Sequence, residues 1–226
     1  MKKSALIFIL LMFAVSACRP DNANEREGGQ QSQVVTETPE VRGFTRIDLA
    51  APLDLEVTQG EDESLRLELS EKFVGKVEAR VESGTLVIDT VGNFTVRGRD
   101  VLRGAVTLET LEGIDISGAG DVTVREVDAE DLRVAVSGAG DISAAGSASR
   151  LSVDISGAGD ADMTDLVVAD AEVEISGAGD VRVCATSSLQ ASVSGAGAIG
   201  YYGDPDTDFT TTGAGEIVRE GACPQE

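Results

Sequence analysis

The sequence predicts an all-β chain folded as a β-solenoid, a stack of short coils of about 18–20 residues, and three observations predict it. Ser-Gly-Ala-Gly occurs at 117–120, 137–140, 156–159, 176–179 and 194–197, with Thr-Gly-Ala-Gly at 212–215. Successive copies begin 20, 19, 20, 18 and 18 residues apart. A fixed period of that length marks a repeat architecture whose units bury their apolar faces against one another. Between copies, apolar and polar residues alternate with the period of a strand that has one buried face. No apolar stretch in the folded part sustains a helical period.

Taken in order, the chain begins with Lys2, Lys3 and an apolar run from Ala5 to Val15. That run is too short for a mature membrane span and reads as a signal segment over residues 1–17. Val15-Ser16-Ala17-Cys18 resembles the lipobox of bacterial lipoprotein signal peptides. The resemblance implies that Cys18 becomes the mature N-terminus, bearing a thioether-linked diacylglycerol and an amide-linked acyl chain of the palmitate kind. Each buried CH₂ of such an anchor contributes about 0.8 kcal/mol. Arg19 in place of an aspartate implies outer-membrane sorting and leaves open the periplasmic face or the cell surface. The other reading is an ordinary secretory signal with an incidental cysteine.

Residues 18–39 read as the lipidated N-terminus and a flexible tether. Asp21, Asn22, Asn24, Glu25 and the Gln30-Gln31-Ser32-Gln33 stretch offer almost nothing to bury, so the entropy lost on ordering would go unmet. Residues 40–226 then form a single domain. Its first half, to residue 112, lacks the glycine motif yet alternates in Phe44–Leu49, Leu53–Val57, Leu65–Leu69 and Thr85–Asp89, with turns at Gln59-Gly60 and Ser83-Gly84. Lys72 to Gly75 suits one helical turn. This half reads as irregular first coils and a cap over the open end of the stack.

The repeats align residue by residue. Ile114/Ile116, Val134/Val136, Val153/Ile155, Val173/Ile175 and Ala191/Val193 share one parity before the corner, and Val122, Ile142, Ala161, Val181, Ile199 and Ile217 form a ladder after it. The corner glycines are Gly118, Gly120, Gly138, Gly140, Gly157, Gly159, Gly177, Gly179, Gly195, Gly197, Gly213 and Gly215. A sharp corner is expected to need positive φ at one or both of each pair, with the small alanine between them letting coils stack. Asp121, Asp141, Asp160 and Asp180 follow the corner, where a short carboxylate accepts backbone N–H groups in an Asx-type turn.

The serial Ser-Gly-Ala-Gly-Asp-Val units, preceded by Phe44-Thr45-Arg46-Ile47 and Gly84-Thr85-Leu86-Val87-Ile88, look like the putative auto-transporter adhesin head, or GIN-domain, family. Val193-Ser194-Gly195-Ala196-Gly197 followed by Tyr201-Tyr202-Gly203-Asp204-Pro205 shares that likeness, which spans roughly 42–219. The resemblance implies a single-stranded right-handed β-helix. It carries no catalytic residues. With the anchor, it implies an adhesin-like, non-catalytic envelope protein with a glycan or protein ligand at the cell surface. The alternative is a structural lipoprotein facing the periplasm.

Composition narrows the chemistry. Without Lys2 and Lys3 the chain carries 16 basic against 40 acidic residues, a net of −24, so nucleic acid and anionic lipid headgroups are not expected partners. There is no His, which removes Ser-His-Asp and Cys-His centres and imidazole metal sites. A β-helical polysaccharide lyase or hydrolase would need clustered acids and bases in a groove, and the outward repeat residues offer Ser, Thr, Ala and scattered acids instead. No cofactor is expected. The aspartates form a candidate ladder for Ca²⁺, against the reading that they only cap turns. Tyr201, Tyr202 and Phe209 would serve either as a glycan platform or as core and cap packing. Cys184 and Cys223 would pair if their Cα atoms came within about 7 Å; their non-adjacent repeats leave this open. An unpaired last coil leaves homo-oligomerisation open as well, unless Gly221 to Glu226 shields that edge.

Overall fold

The computed structural model describes residues 33–224. Eight short strands come first: β1 (Val34–Glu37), β2 (Arg46–Leu49), β3 (Asp54–Gln59), β4 (Ser64–Ser70), β5 (Val77–Glu82), β6 (Thr85–Thr90), β7 (Leu102–Leu108) and β8 (Gly113–Ile116). A single 3-10 turn, Glu71–Phe73, lies between β4 and β5. Four long strands follow, β9 (Val122–Val136), β10 (Ile142–Ile155), β11 (Ala161–Ile175) and β12 (Val181–Val193). The chain closes with β13 (Ala198–Tyr202), β14 (Asp206–Thr211) and β15 (Glu216–Gly221). The tether expected to reach residue 39 is shorter, because β1 pairs antiparallel with β4. Cys18 and the signal segment lie outside the described residues.

The repeats form a parallel β-solenoid. Each long strand wraps one coil, entering after one Ser-Gly-Ala-Gly corner and leaving at the next. Register follows the apolar ladders: Val134, Val153, Val173 and Ala191 pair in succession, as do Val122, Ile142, Ala161, Val181, Ile199 and Ile217. From Val122 to Ile199 those inward positions are buried, so one core runs the length of the stack. Bends within the long strands fall at Glu126 (φ 58°) and Gly146 (φ 131°).

The corners are held from coil to coil. Ser137 N and Gly138 N both donate to Ile116 O, at 2.9 and 3.2 Å, and Ala139 N donates to Gly118 O at 3.0 Å. The same set recurs at each later corner. None of the corner glycines takes a left-handed φ, contrary to the expectation for a sharp turn. The alanines between them point outward, well short of burial, from Ala119 to Ala196. What demands glycine is the stacking of one corner's backbone on the next: a Cβ on Gly138 would sit 1.9 Å from Gly118 O.

Chain order and stacking order differ at the N-terminal end. β2 lies between β6 and β8, and β3 between β7 and β9, all parallel. Residues 46–59 therefore form a coil inserted between segment 85–108 and the first glycine coil. Its corner, Ala50-Ala51-Pro52-Leu53, is stacked like the others: Ser117 N and Gly118 N donate to Leu49 O at 3.1 and 3.2 Å. Beyond it, the end of the stack is finished by antiparallel strands, with β4 on β7, β1 on β4 and β5 on β6. Among the described residues, no antiparallel strand finishes the opposite end. β14 is exposed throughout, and its inward positions are Thr207, Phe209 and Thr211 where earlier coils have Leu189, Ala191 and Val193.

Candidate functional site

The aspartate column is a chain of inter-coil hydrogen bonds. Asp121 Oδ1 accepts from Asp141 N at 3.1 Å, Asp141 Oδ1 from Asp160 N at 2.8 Å, and Asp160 Oδ1 from Asp180 N at 2.7 Å. Asp180 Oδ1 accepts from Ala198 N at 2.7 Å, where the column ends. Each carboxylate thus caps the following coil rather than its own turn. The reason lies in the corner geometry: the ladder uses the Asp carbonyl, with Val122 N on Asp141 O at 2.8 Å, and leaves the Asp N–H to find a side-chain acceptor. Charge-assisted bonds of this kind offset the repulsion between stacked carboxylates. Among the described residues, no three acidic or cysteine side chains converge in a way that could hold a metal ion.

A polar groove of about 820 Å³ runs across the coils where the long strands turn toward their last stretch. Its most organised section is the rung Asp131, Arg150, Asp170, Ser188, which the strand register places one above the other. The Arg150 guanidinium donates through Nε to Asp131 Oδ1, and through one Nη it reaches Asp131 Oδ2 at 2.7 Å and Glu130 Oε1 at 3.5 Å. Ser188 Oγ donates to Asp170 Oδ1 at 2.6 Å. One wall is set by Gln59, whose amide donates to Asp128 O at 2.8 Å and accepts from Asp128 N at 3.0 Å. The hydrogen bond from Arg150, more than its charge, holds the Asp131 carboxyl below the ordinary range. Outside the groove, burial pushes the Asp48 carboxyl upward, helped by the charges of Asp115 and Asp89.

The late aromatics separate. Tyr201 is half-buried and packs on Phe209 with ring centroids 5.5 Å apart, whereas Tyr202 Oη donates to Glu220 Oε2 at 2.6 Å. They do not form one platform. Cys184 and Cys223 are joined, with Cα atoms 5.4 Å apart. The bridge passes the coil between them at Gly203, whose φ is +104° and where a Cβ would sit 3.3 Å from Cys223 Sγ and 2.0 Å from Ala185 O.

The groove residues Gln59, Arg133 and Arg150 escape a reading of the sequence because they come from unrelated points of the repeat. The inserted coil left a usable signal. Ile47-Asp48-Leu49 and Asp54-Leu55-Glu56-Val57 match Ile114-Asp115-Ile116 and Asp121-Val122-Thr123-Val124 about a four-residue corner.

Residues 43–205 match a family model described as putative auto-transporter adhesin, head GIN domain. Among solved structures, a putative adhesin from Bacteroides fragilis is 24% identical, covering 83% of this chain and 97% of that one, with a TM-score of 0.70. A putative adhesin from Parabacteroides distasonis is 18% identical, covering 84% and 98%, with a TM-score of 0.55. Both are likenesses of fold. No curated protein matches the chain.

Proposed function

The chain belongs to the putative auto-transporter adhesin, head GIN domain family, and on that footing we propose that it is a lipid-anchored, non-catalytic binding protein of the cell envelope whose groove receives the ligand. The observation that carries this reading is the prearranged rung of Asp131, Arg150, Asp170 and Ser188 on a rigid stack. Side chains held in hydrogen-bonded pairs, Arg150 with Asp131 and Ser188 with Asp170, lose less entropy when a ligand docks than unpaired ones. Their mixture of guanidinium, carboxylate and hydroxyl suits a hydroxylated ligand such as a glycan, or a polar stretch of protein. The same rung speaks against acid catalysis, since a general acid needs its pKa raised toward the working pH and Arg150 moves Asp131 the other way.

Anchoring through Cys18 and placement at the outer membrane complete the proposal, supported by the resemblance of residues 15–18 to a lipobox. The test is protease accessibility of the tagged protein on intact and on lysed cells. Cleavage on intact cells is expected, followed by loss of adhesion or glycan binding in Arg150→Ala. Cleavage only after lysis would place the solenoid in the periplasm and replace this reading with a structural envelope role.

A further inference from the structure

The charge of the whole chain points away from anionic surfaces, yet the cations are not evenly spread. Residues 71–76 and 91–100, both at the capped end, hold Lys72, Lys76, Arg97 and Arg99 against Glu71 and Asp100. These segments pack as one body. Val91 N donates to Lys76 O at 2.8 Å, the rings of Phe73 and Phe94 lie 4.9 Å apart, and Lys76 Nζ lies 5.9 Å from the Phe94 centroid. Lys72 Nζ is paired with Asp100 Oδ1 at 2.6 Å, which leaves Lys76, Arg97 and Arg99 facing outward beside the single acid Glu71.

Apolar side chains collect at the same place. Six large hydrophobic residues stand exposed among the described residues, and four of them, Val34, Val74, Val91 and Val96, are here at 40–49% exposure. Val34 belongs to this end because its neighbour Gln33 accepts the Glu71 N–H at 2.8 Å. The opposite end is acidic, with Asp204, Asp206, Asp208, Glu216 and Glu220 against Arg219.

From this we infer that the two loops 71–76 and 91–100, with Val34 beside them, form a membrane-docking surface, laid on anionic phospholipid with its valines in the headgroup layer and Lys76, Arg97 and Arg99 against lipid phosphates. Exposed valines set among cations are the composition of an interfacial anchor. The strands of the same end carry Glu37, Glu68, Glu78 and Glu82, so the contact is made by these two loops alone, and the acidic tail coils at the far end are repelled by the same lipid. This orientation is independent of what the groove binds and needs no acyl chain. Where Cys18 is acylated the two contacts act together, since the polypeptide enters the domain at Gln33 and a lipid chain with a basic patch holds better than either alone.

The chain contains no tryptophan, so a single one can report on each end of the mature protein as recovered from cells. Val96→Trp and Phe209→Trp are mixed with phosphatidylcholine vesicles, with or without phosphatidylglycerol, that carry brominated lipid as a quencher. The expected result is a blue shift and quenching of residue 96 only when phosphatidylglycerol is present, reversed by high salt, with residue 209 unaffected. Adding Lys76→Glu, Arg97→Glu and Arg99→Glu to Val96→Trp should weaken this contact at least about tenfold. Val74→Trp gives the same reading if Val96→Trp fails to fold. Equal quenching on neutral vesicles, quenching of both ends, persistence in the charge-reversed protein, or no response to phosphatidylglycerol would each overturn the inference. The signal comes from residue 96 or 209 whether or not the chain is acylated, so failure here stays separate from failure of the adhesin reading.

Discussion

A Cβ on Gly140 would lie 2.1 Å from Gly120 O, nearly as close a conflict as at Gly138. Real carbon–oxygen contacts begin above about 3 Å, and the opposing atom is backbone already held in the ladder, so Gly138→Ala must force the stacked coils away from each other at their corner. The expected loss is more than about 3 kcal/mol, in the range of strain and broken hydrogen-bond networks, read as a fall in the thermal midpoint. Ala139→Ser, one residue along and facing solvent, should change stability by less than about 0.5 kcal/mol. The glycines were legible as a repeat, but the sequence suggested a tight turn where the cause is close stacking. The corner without glycine is stacked in part on its far side, where Ala50 N and Ala51 N donate to Ile88 O at 3.0 and 3.1 Å before segment 85–108 departs into the longer stretch 91–101.

Among the elements, the repeating coils were readable because alternation and register carry the same information, as the ladder from Val122 to Ile217 illustrates. The ends were not. β1, β4 and β5 pair antiparallel, β1 and β4 with partners distant in sequence, and alternation alone does not say which strand neighbours which. The last coil is a different case, since its inward Thr207 and Thr211 and its exposed strand give it little core of its own. The Cys184–Cys223 bridge compensates by tying the tail to a coil that is fully packed. Reduction, or Cys223→Ser, should lower stability by about 2–4 kcal/mol. Hydrogen exchange should rise first in residues 203–224 while β9 to β11 stay protected. Uniform loss of protection would mean that the coil unfolds as a single unit with the core.

For the molecule as a whole, a net charge of −22 is a standing repulsion. Raising ionic strength should therefore raise the thermal midpoint by about 2–5 °C. CaCl₂ and NaCl at equal ionic strength should act alike, because each ladder aspartate already commits one oxygen to a backbone N–H. A calcium-specific rise, removed by chelator, would show that the remaining oxygens hold a cation.

Residues 46–59 lock the first glycine coil to the capped end, and the bridge ties down the tail at the other, so the units in between stack mainly on copies of themselves. Duplicating or deleting one unit of 18–20 residues would leave both ends unchanged and move the tip by about 4.8 Å. A gene that gains or loses such units adjusts how far its product projects in steps of one strand spacing, as a ruler is cut to a graduation.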